Sequence, residues 1–149
     1  MKYTQGIYKN INGRILIMPD GRDKQGVGRS LNMPAFVDTS QNFRELGKAV
    51  RDCFLVSQNS PPIEDVKTLG NVIEAATGIK IWSKFAREHV LIDGMWDTEQ
   101  GYTFEPMERQ KDNSYMPRKT REKVQLGLTA TDEEIGKAIN QAFSVIEGS

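Results

Sequence analysis

The C-terminal segment constrains the fold of this chain most, because it joins a complete helix-start signal to a continuous apolar face. Thr131-Asp132-Glu133-Glu134 has the threonine and the glutamate of a capping box, in which each side chain binds the other residue's backbone N–H. Apolar side chains then recur at helical spacing from Ile135 to Ile146. Such a face needs a sheet or another helix to cover it, so this segment predicts a layered fold.

Two further amphipathic helices are predicted upstream. The first covers about residues 40–57, with Ser40 or Thr39 available as the N-cap. The second covers about residues 63–77 and ends at Gly78, a residue type that favours the left-handed conformation of a helix C-terminus. The Ser60-Pro61-Pro62 run separates the two helices, because proline cannot continue a helix.

The remaining sequence predicts β-strands. Residues 2–9 and 14–18 flank Asn12-Gly13, a strong hairpin signal, and residues 33–37 resume a strand. Later strands are expected over residues 80–85, 88–93, 101–107 and 122–128, with a turn at Asp93-Gly94 and a long loop over residues 108–123. This order of elements predicts the α+β class: a single antiparallel β-sheet with two or three α-helices packed on it, in one domain of residues 1–149.

The composition argues against several classes of function. Lys plus Arg and Asp plus Glu both number 20, whereas a protein dedicated to nucleic acid usually has a basic excess. No apolar run approaches the roughly 20 residues that cross a bilayer, and the N-terminus shows no secretory signal, so a cytoplasmic protein is expected. Cys53 and His89 are the only residues of their types, too few for a zinc site, and no cofactor is expected.

Residues 88–108 carry six carboxylates and no Lys or Arg, with large apolar side chains among them. Carboxylates can steer a basic protein, and Trp or Tyr side chains can anchor it, so this segment is a candidate docking surface. A second interpretation remains open. Trp96, Tyr102 and Phe104 can instead face the core of a sheet whose other face carries solvated acids.

The sequence contains carboxylates that could serve an enzyme but no catalytic motif. Converging carboxylates could bind Mg²⁺ or act as an acid/base pair, and the candidates are Asp20, Asp23, Asp93, Asp97 and Glu99. No nucleophile elbow, HExxH or EF-hand pattern accompanies them, so the chain is not expected to be an enzyme, and a small hydrolase is kept as a second alternative. Cys53 is expected to be a buried structural thiol.

Single-stranded nucleic-acid binding is the first alternative. Trp82 and Phe85 alternate with Lys80 and Lys84, and interleaved rings and lysines can stack and clamp a strand. The polar stretch over residues 108–123 is rich in Arg and Lys and could contact RNA. A core anchor flanked by solvated lysines is the simpler interpretation of the same pattern.

Four segments resemble the immunity proteins of bacterial contact-dependent growth inhibition systems: the hairpin with Arg14-Ile15-Leu16-Ile17, Val27-Gly28-Arg29-Ser30-Leu31, Trp82-Ser83-Lys84-Phe85 and Phe104-Glu105-Pro106. The resemblance implies a Whirly-like fold. It also implies binding to a cognate toxin C-terminal domain, often a nuclease, with no cofactor, small-molecule substrate or membrane. We expect the toxin-facing patch to be Asp93, Trp96, Asp97, Glu99, Tyr102, Glu105 and Glu108.

Overall fold

The structure is a computed structural model that describes residues 1–148. It has one curled, antiparallel eight-stranded sheet and four α-helices, which confirms the predicted α+β class. The strands are β1 (Lys2–Asn10), β2 (Ile15–Arg22), β3 (Gly28–Ser30), β4 (Ala35–Val37), β5 (His89–Asp97), β6 (Gly101–Arg109), β7 (Tyr115–Pro117) and β8 (Val124–Leu126). The helices are α1 (Phe43–Asn59), α2 (Val72–Thr77), α3 (Trp82–Glu88) and α4 (Asp132–Glu147).

The sheet is built around four long strands, β1, β2, β5 and β6. The order is β3-β2-β1-β5-β6-β7, while β4 also pairs with β2 and β8 also pairs with β6. The predicted first hairpin is confirmed: β1 and β2 pair across a turn in which Gly13 has φ +89°, a conformation that L side chains rarely adopt.

The two long helices, α1 and α4, pack on one face of the sheet and on each other. The predicted capping box of α4 is confirmed, since Thr131 Oγ1 accepts a hydrogen bond from the Glu134 N–H and Glu134 Oε1 accepts one from the Thr131 N–H. Gly47 of α1 and Gly136 of α4 allow the helices to approach closely. A Cβ at Gly47 would lie 1.7 Å from the Asp132 carbonyl oxygen, and one at Gly136 would lie 1.9 Å from that of Phe43.

The opposite face of the sheet is covered over part of its area by the short helices. Phe85 of α3 lies fully buried with Leu16 and Met18 of β2, and residues of α2 complete this second cluster. The part of this face near Asp20 and Asp93 is outside that cluster. No helix within residues 1–148 has both the length and the apolar character needed to cross a membrane.

Two helix predictions need correction at their boundaries. Helix α1 begins at Phe43, and Asn42, not Ser40 or Thr39, is its N-cap. The predicted helix over residues 63–77 is interrupted: a 3₁₀ turn covers Val66–Leu69, Gly70 has φ +63°, and α2 begins only at Val72. The predicted end at Gly78 is confirmed, with a left-handed φ of +76°.

Two predictions in the second half of the chain were wrong. Residues 80–85 form no strand, because α3 begins at Trp82, and its Trp82 and Phe85 rings lie one helical turn apart with centroids separated by 5.4 Å. Asp93-Gly94 is not a turn, since β5 runs straight through it. A Cβ at Gly94 would lie 3.3 Å from the Gln5 and Ile7 side chains, so close packing explains this glycine.

The other strands match their predictions with shifted ends. The turn between β5 and β6 falls at residues 98–100, before Gly101 with φ +125°. The predicted strand over residues 122–128 shortens to β8, and the predicted loop over residues 108–123 contains β7.

Candidate functional site

The hairpin of β5 and β6 divides the predicted patch between the two faces of the sheet. Asp93 pairs with Glu105, while Gly94 pairs with Phe104 and Trp96 with Tyr102. Because side chains alternate along a strand, the carboxylates of the first pair face away from α1 and α4, and the rings face toward them. The predicted residues therefore do not form one continuous surface.

Trp96 and Tyr102 pack against helix α1. Their ring centroids lie 6.2 and 5.9 Å from that of Phe54, and the two rings stack on each other at an interplanar angle of 13°. Tyr102 is buried and Trp96 is half-buried. These rings belong to the helix-facing layer and lie behind the carboxylates.

Three carboxylates come together on the other side of the sheet, in a surface that we call the acidic face: Asp20 of β2, Asp93 of β5 and Glu105 of β6. Asp20 accepts hydrogen bonds from the Thr4 hydroxyl at 2.7 Å and the Ser30 hydroxyl at 3.4 Å. Sequence reasoning named Asp20 and Asp93 as carboxylates that could converge, but it did not add Glu105 to them or include Asp20 in the docking surface, because only the sheet order brings β2 near β5.

The electrostatics of the acidic face reflect crowded negative charge. Partial burial, followed by the nearby Asp20 and Glu105 carboxylates, raises the pKa of Asp93 to about 6. Burial also raises the pKa of Asp20. Tyr8 lies on the same side of the sheet, and burial together with the charges of Tyr115, Asp20 and Asp93 raises its pKa. Asp93 therefore stays protonated to a higher pH than an ordinary aspartate.

Glu105 has an internal counterion. Arg121 Nε lies 2.9 Å from Glu105 Oε2, and Arg121 Nη2 lies 3.5 Å from Oε1. The side chain of Glu105 is 11% exposed and that of Arg121 is 58% exposed, so the ion pair lies at the edge of the acidic face. Within residues 1–148, neither Asp20 nor Asp93 forms an ion pair.

The other predicted carboxylates lie apart from this group. Asp97 caps the turn between β5 and β6 by accepting a hydrogen bond from the Glu99 N–H at 2.9 Å, and Glu99 is exposed in that turn. Glu108 is exposed near the end of β6. Asp23 binds the backbone N–H groups of its own turn, at Gln25 and Val27.

Of the carboxylates considered for Mg²⁺, only Asp20 and Asp93 are brought near each other from different strands. Over the described range 1–148, no group of three or more His, Cys, Asp or Glu side chains is placed to hold a metal ion. Cys53 lies in the main core, where burial raises the pKa of its thiol to about 12, whereas His89 lies in the cleft described next.

A cleft of about 760 Å³ opens where β5 and β6 separate. Their pairing ends at Ile92 and Pro106, and the last residues of β6 pair with β7 instead. The Tyr115 hydroxyl reaches back across this region, 2.8 Å from the His89 carbonyl oxygen. The ionic side chains that line the cleft are Lys9, Arg87, Arg109, Arg118, Glu88, Glu108 and Glu147.

His89 is a buried, structural part of this cleft. Its Nδ1 lies 2.7 Å from the Phe85 carbonyl oxygen, and its ring stacks on Phe85 with centroids 3.9 Å apart. Burial lowers its pKa, so the neutral form is favoured. Together with the position of Cys53 in the core, this arrangement gives no support to a Cys–His catalytic pair.

The predicted nucleic-acid residues are only partly available. Phe85 is fully buried and cannot stack on a base. Trp82 is 41% exposed, and its indole N–H donates to the Asn113 carbonyl oxygen at 2.9 Å. One exposed ring beside lysines is a weaker stacking platform than the pair that the sequence suggested.

Comparison with known proteins gives a likeness of fold. No protein-family model matches the sequence, and a search of curated proteins gives no match. The chain is similar to a protein of unknown function from Neisseria meningitidis, with a TM-score of 0.75, 16% identity, and coverage of 97% of this chain and 95% of that one. It is also similar to a chain of the CdiA-CT/CdiI toxin and immunity complex from Yersinia pseudotuberculosis, with a TM-score of 0.71, 14% identity, and 97% of both chains covered.

Proposed function

We propose that this chain is an immunity protein that binds and neutralises the toxin domain of a contact-dependent growth inhibition system, and that the toxin is a nuclease. The observation that carries the proposal is the end-to-end likeness of fold to a chain from a toxin and immunity complex. In this proposal the protein acts by covering a partner's surface, so it performs no reaction and needs no cofactor.

The acidic face supplies the chemistry for such a contact. A nuclease must attract phosphates and therefore presents cationic side chains, which an inhibitor can meet with carboxylates. Asp20 and Asp93 have no cationic partner within residues 1–148, so an incoming Lys or Arg would relieve repulsion that already exists on this face.

In this proposal the residues of the predicted patch have different roles. Asp93 and Glu105 contact the toxin, and Asp97 and Glu99 extend the negative potential along the hairpin. Trp96 and Tyr102 support β5 and β6 from behind. Glu108 belongs to the cleft at the other end of β6.

We expect a large secreted protein to be encoded directly upstream of this chain, and the test uses the C-terminal domain of that protein. Cells that express this toxin domain should grow when the chain is co-expressed and stop growing without it. Failure of protection together with failure of the two purified proteins to bind would overturn the proposed function.

A charge-reversal pair tests the surface. We expect Asp93→Lys to slow association with the toxin domain about tenfold at low salt, because steering depends on the sign of the local potential. Asp52→Lys is the matched control: Asp52 is exposed on α1, on the other side of the sheet. Equal association rates for the two variants would remove the acidic face from the interface while leaving the immunity function in place.

Single-stranded nucleic-acid binding is a second candidate, favoured by the exposed Trp82 near Lys84 and the cations of the cleft. It predicts salt-sensitive binding to an oligonucleotide that Trp82→Ala weakens. Absence of binding at low salt would end this candidate.

A further inference from the structure

The chain places a basic segment of its own against the acidic face. Strands β7 and β8 pair with opposite ends of β6, at residues 107–109 and 102–104, so the connection between them passes beside Glu105. This connection, residues 118–123, is the basic segment, and it carries Arg118, Lys119, Arg121 and Lys123 against Glu122. Arg121 is the residue that reaches Glu105.

The backbone of the basic segment is shaped around Arg121. The Arg121 N–H donates to the Arg118 carbonyl oxygen at 2.9 Å, and Arg121 has φ +50°. A left-handed conformation is uncommon for a residue other than glycine, asparagine or aspartate, and it costs free energy that the surroundings must offset. Arg121 adopts this conformation at the position where its side chain meets Glu105.

We propose that the basic segment is an intramolecular occupant of the acidic face, and that a Lys or Arg side chain of the partner replaces Arg121 at Glu105 when the partner binds. This inference rests on the proposed function and adds a regulatory contact to the same surface. Arg121 thereby shields Glu105 in the free protein until a partner presents a cation that binds Glu105 more strongly.

The difference in exposure between the two side chains allows Arg121, and not Glu105, to leave the ion pair. Arg121 is more than half exposed, so water can solvate its guanidinium as it leaves, whereas Glu105 is held in the sheet and stays in place. Partly exposed ion pairs are weak, which allows a partner that also contacts Asp93 to displace Arg121. Residues 119–123 are all exposed, so no core packing is lost when they move.

The test uses a hexa-arginine peptide as the cationic probe, titrated by calorimetry at low salt and pH 8. We expect Arg121→Gln to bind the peptide about 1.5- to fivefold more tightly than the wild type, the range that corresponds to a weak ion pair. Lys119→Gln is the matched control, because it removes the same charge from an exposed position of the same segment. Equal gains for both variants would overturn the inference, since net charge alone would then explain them.

Two further variants separate the local contact from other effects. In a Glu105→Gln background, Arg121→Gln should give no gain beyond that of Lys119→Gln. Arg121→Lys should fall between the wild type and Arg121→Gln, because lysine keeps the charge and loses the two-nitrogen contact. Absence of peptide binding by every variant would also overturn the inference. Because no toxin is used, these outcomes are distinct from a failure of the immunity function.

Discussion

Asp93 of β5 lies directly opposite Glu105 of β6, with both carboxylates on the side of the sheet that faces away from the long helices. Like charges at opposed positions of an antiparallel pair destabilise the sheet. The counterion Arg121 pairs with Glu105 and not with Asp93. Asp20 adds a third negative charge nearby. The chain therefore tolerates an electrostatic cost on one face, which the proposed contact with a basic partner would relieve.

Replacing Asp93 by Asn should stabilise the free protein above pH 6. The pKa of Asp93 is raised to about 6 in the folded state, above its value of roughly 3.9 in an unfolded chain, so the folded state binds its proton more tightly. The resulting loss of stability begins as the pH rises through about 4 and is complete above about 6. The gain from Asp93→Asn should follow the same course and vanish below pH 4.

Chemical denaturation at pH 4, 6 and 8 measures this effect. Asp20, Glu105 and Tyr8 lie near Asp93 and are unchanged in the variant, as is Arg121 beside Glu105. Asp52→Asn serves as the control, since Asp52 is an exposed carboxylate that pairs with Lys48. A stability gain for Asp93→Asn that is independent of pH would contradict the electrostatic explanation.

Trp96→Phe should weaken the fold more than the interface. Trp96 packs between Tyr3 and Phe54, with centroid distances of 5.5 and 6.2 Å, so a smaller ring leaves unfilled space against α1. We expect a loss of about 1–3 kcal/mol in the free energy of unfolding, and unchanged affinity for the toxin domain in the fraction that remains folded. A loss of affinity with unchanged stability would instead place Trp96 in the interface.

Gly47→Ala should destabilise the protein although alanine is the better helix former. Alanine gains about 1 kcal/mol over glycine in an exposed helix, but here its Cβ would lie 1.7 Å from the Asp132 carbonyl oxygen, so α1 and α4 must separate. We expect the free energy of unfolding, measured by thermal unfolding, to fall by about 1–3 kcal/mol. Gly28→Ala, with no atom within 4 Å of its added Cβ, should change stability by less than about 0.5 kcal/mol.

The thiol of Cys53 should be inert in the native protein. Burial raises its pKa to about 12, so the reactive thiolate is scarce, and 4% exposure blocks a reagent. At pH 8 we expect the reaction with a disulfide reagent to be on the order of a thousandfold slower than in denaturant and limited by opening of the fold. Comparable rates in both conditions would show that the α1 layer opens readily.

Local signals predicted those parts of the fold that depend on local structure. The capping box at Thr131, the turn at Gly13 and the end of α2 at Gly78 all follow from contacts within a few residues. The wrong strand over residues 80–85 arose because this run contains the β-prone Ile81 and two aromatic residues, although the i, i+3 spacing of Trp82 and Phe85 fits one turn of a helix. Burial of Phe85 against β2 decided between the two, and that contact is not local.

Only part of the candidate site could be predicted from the sequence. The acidic character of residues 88–108 is visible in the sequence, and so is the alternation that sends Asp93 and Glu105 to one side. The wrong prediction of a turn at Asp93-Gly94 obscured this alternation, because a turn would have ended the strand there. The addition of Asp20 and the contact from Arg121 depend on the order of strands β2, β1, β5 and β6, which no local pattern specifies.

The reciprocal glycines at the crossing of α1 and α4 have one more consequence. Each lies against the other helix's backbone, so a larger residue at either position requires the two helices to move apart. Asp20, Asp93 and Glu105 face the opposite way and are free of that restriction. Substitutions that alter the charge of this face consequently leave the crossing of the two helices intact.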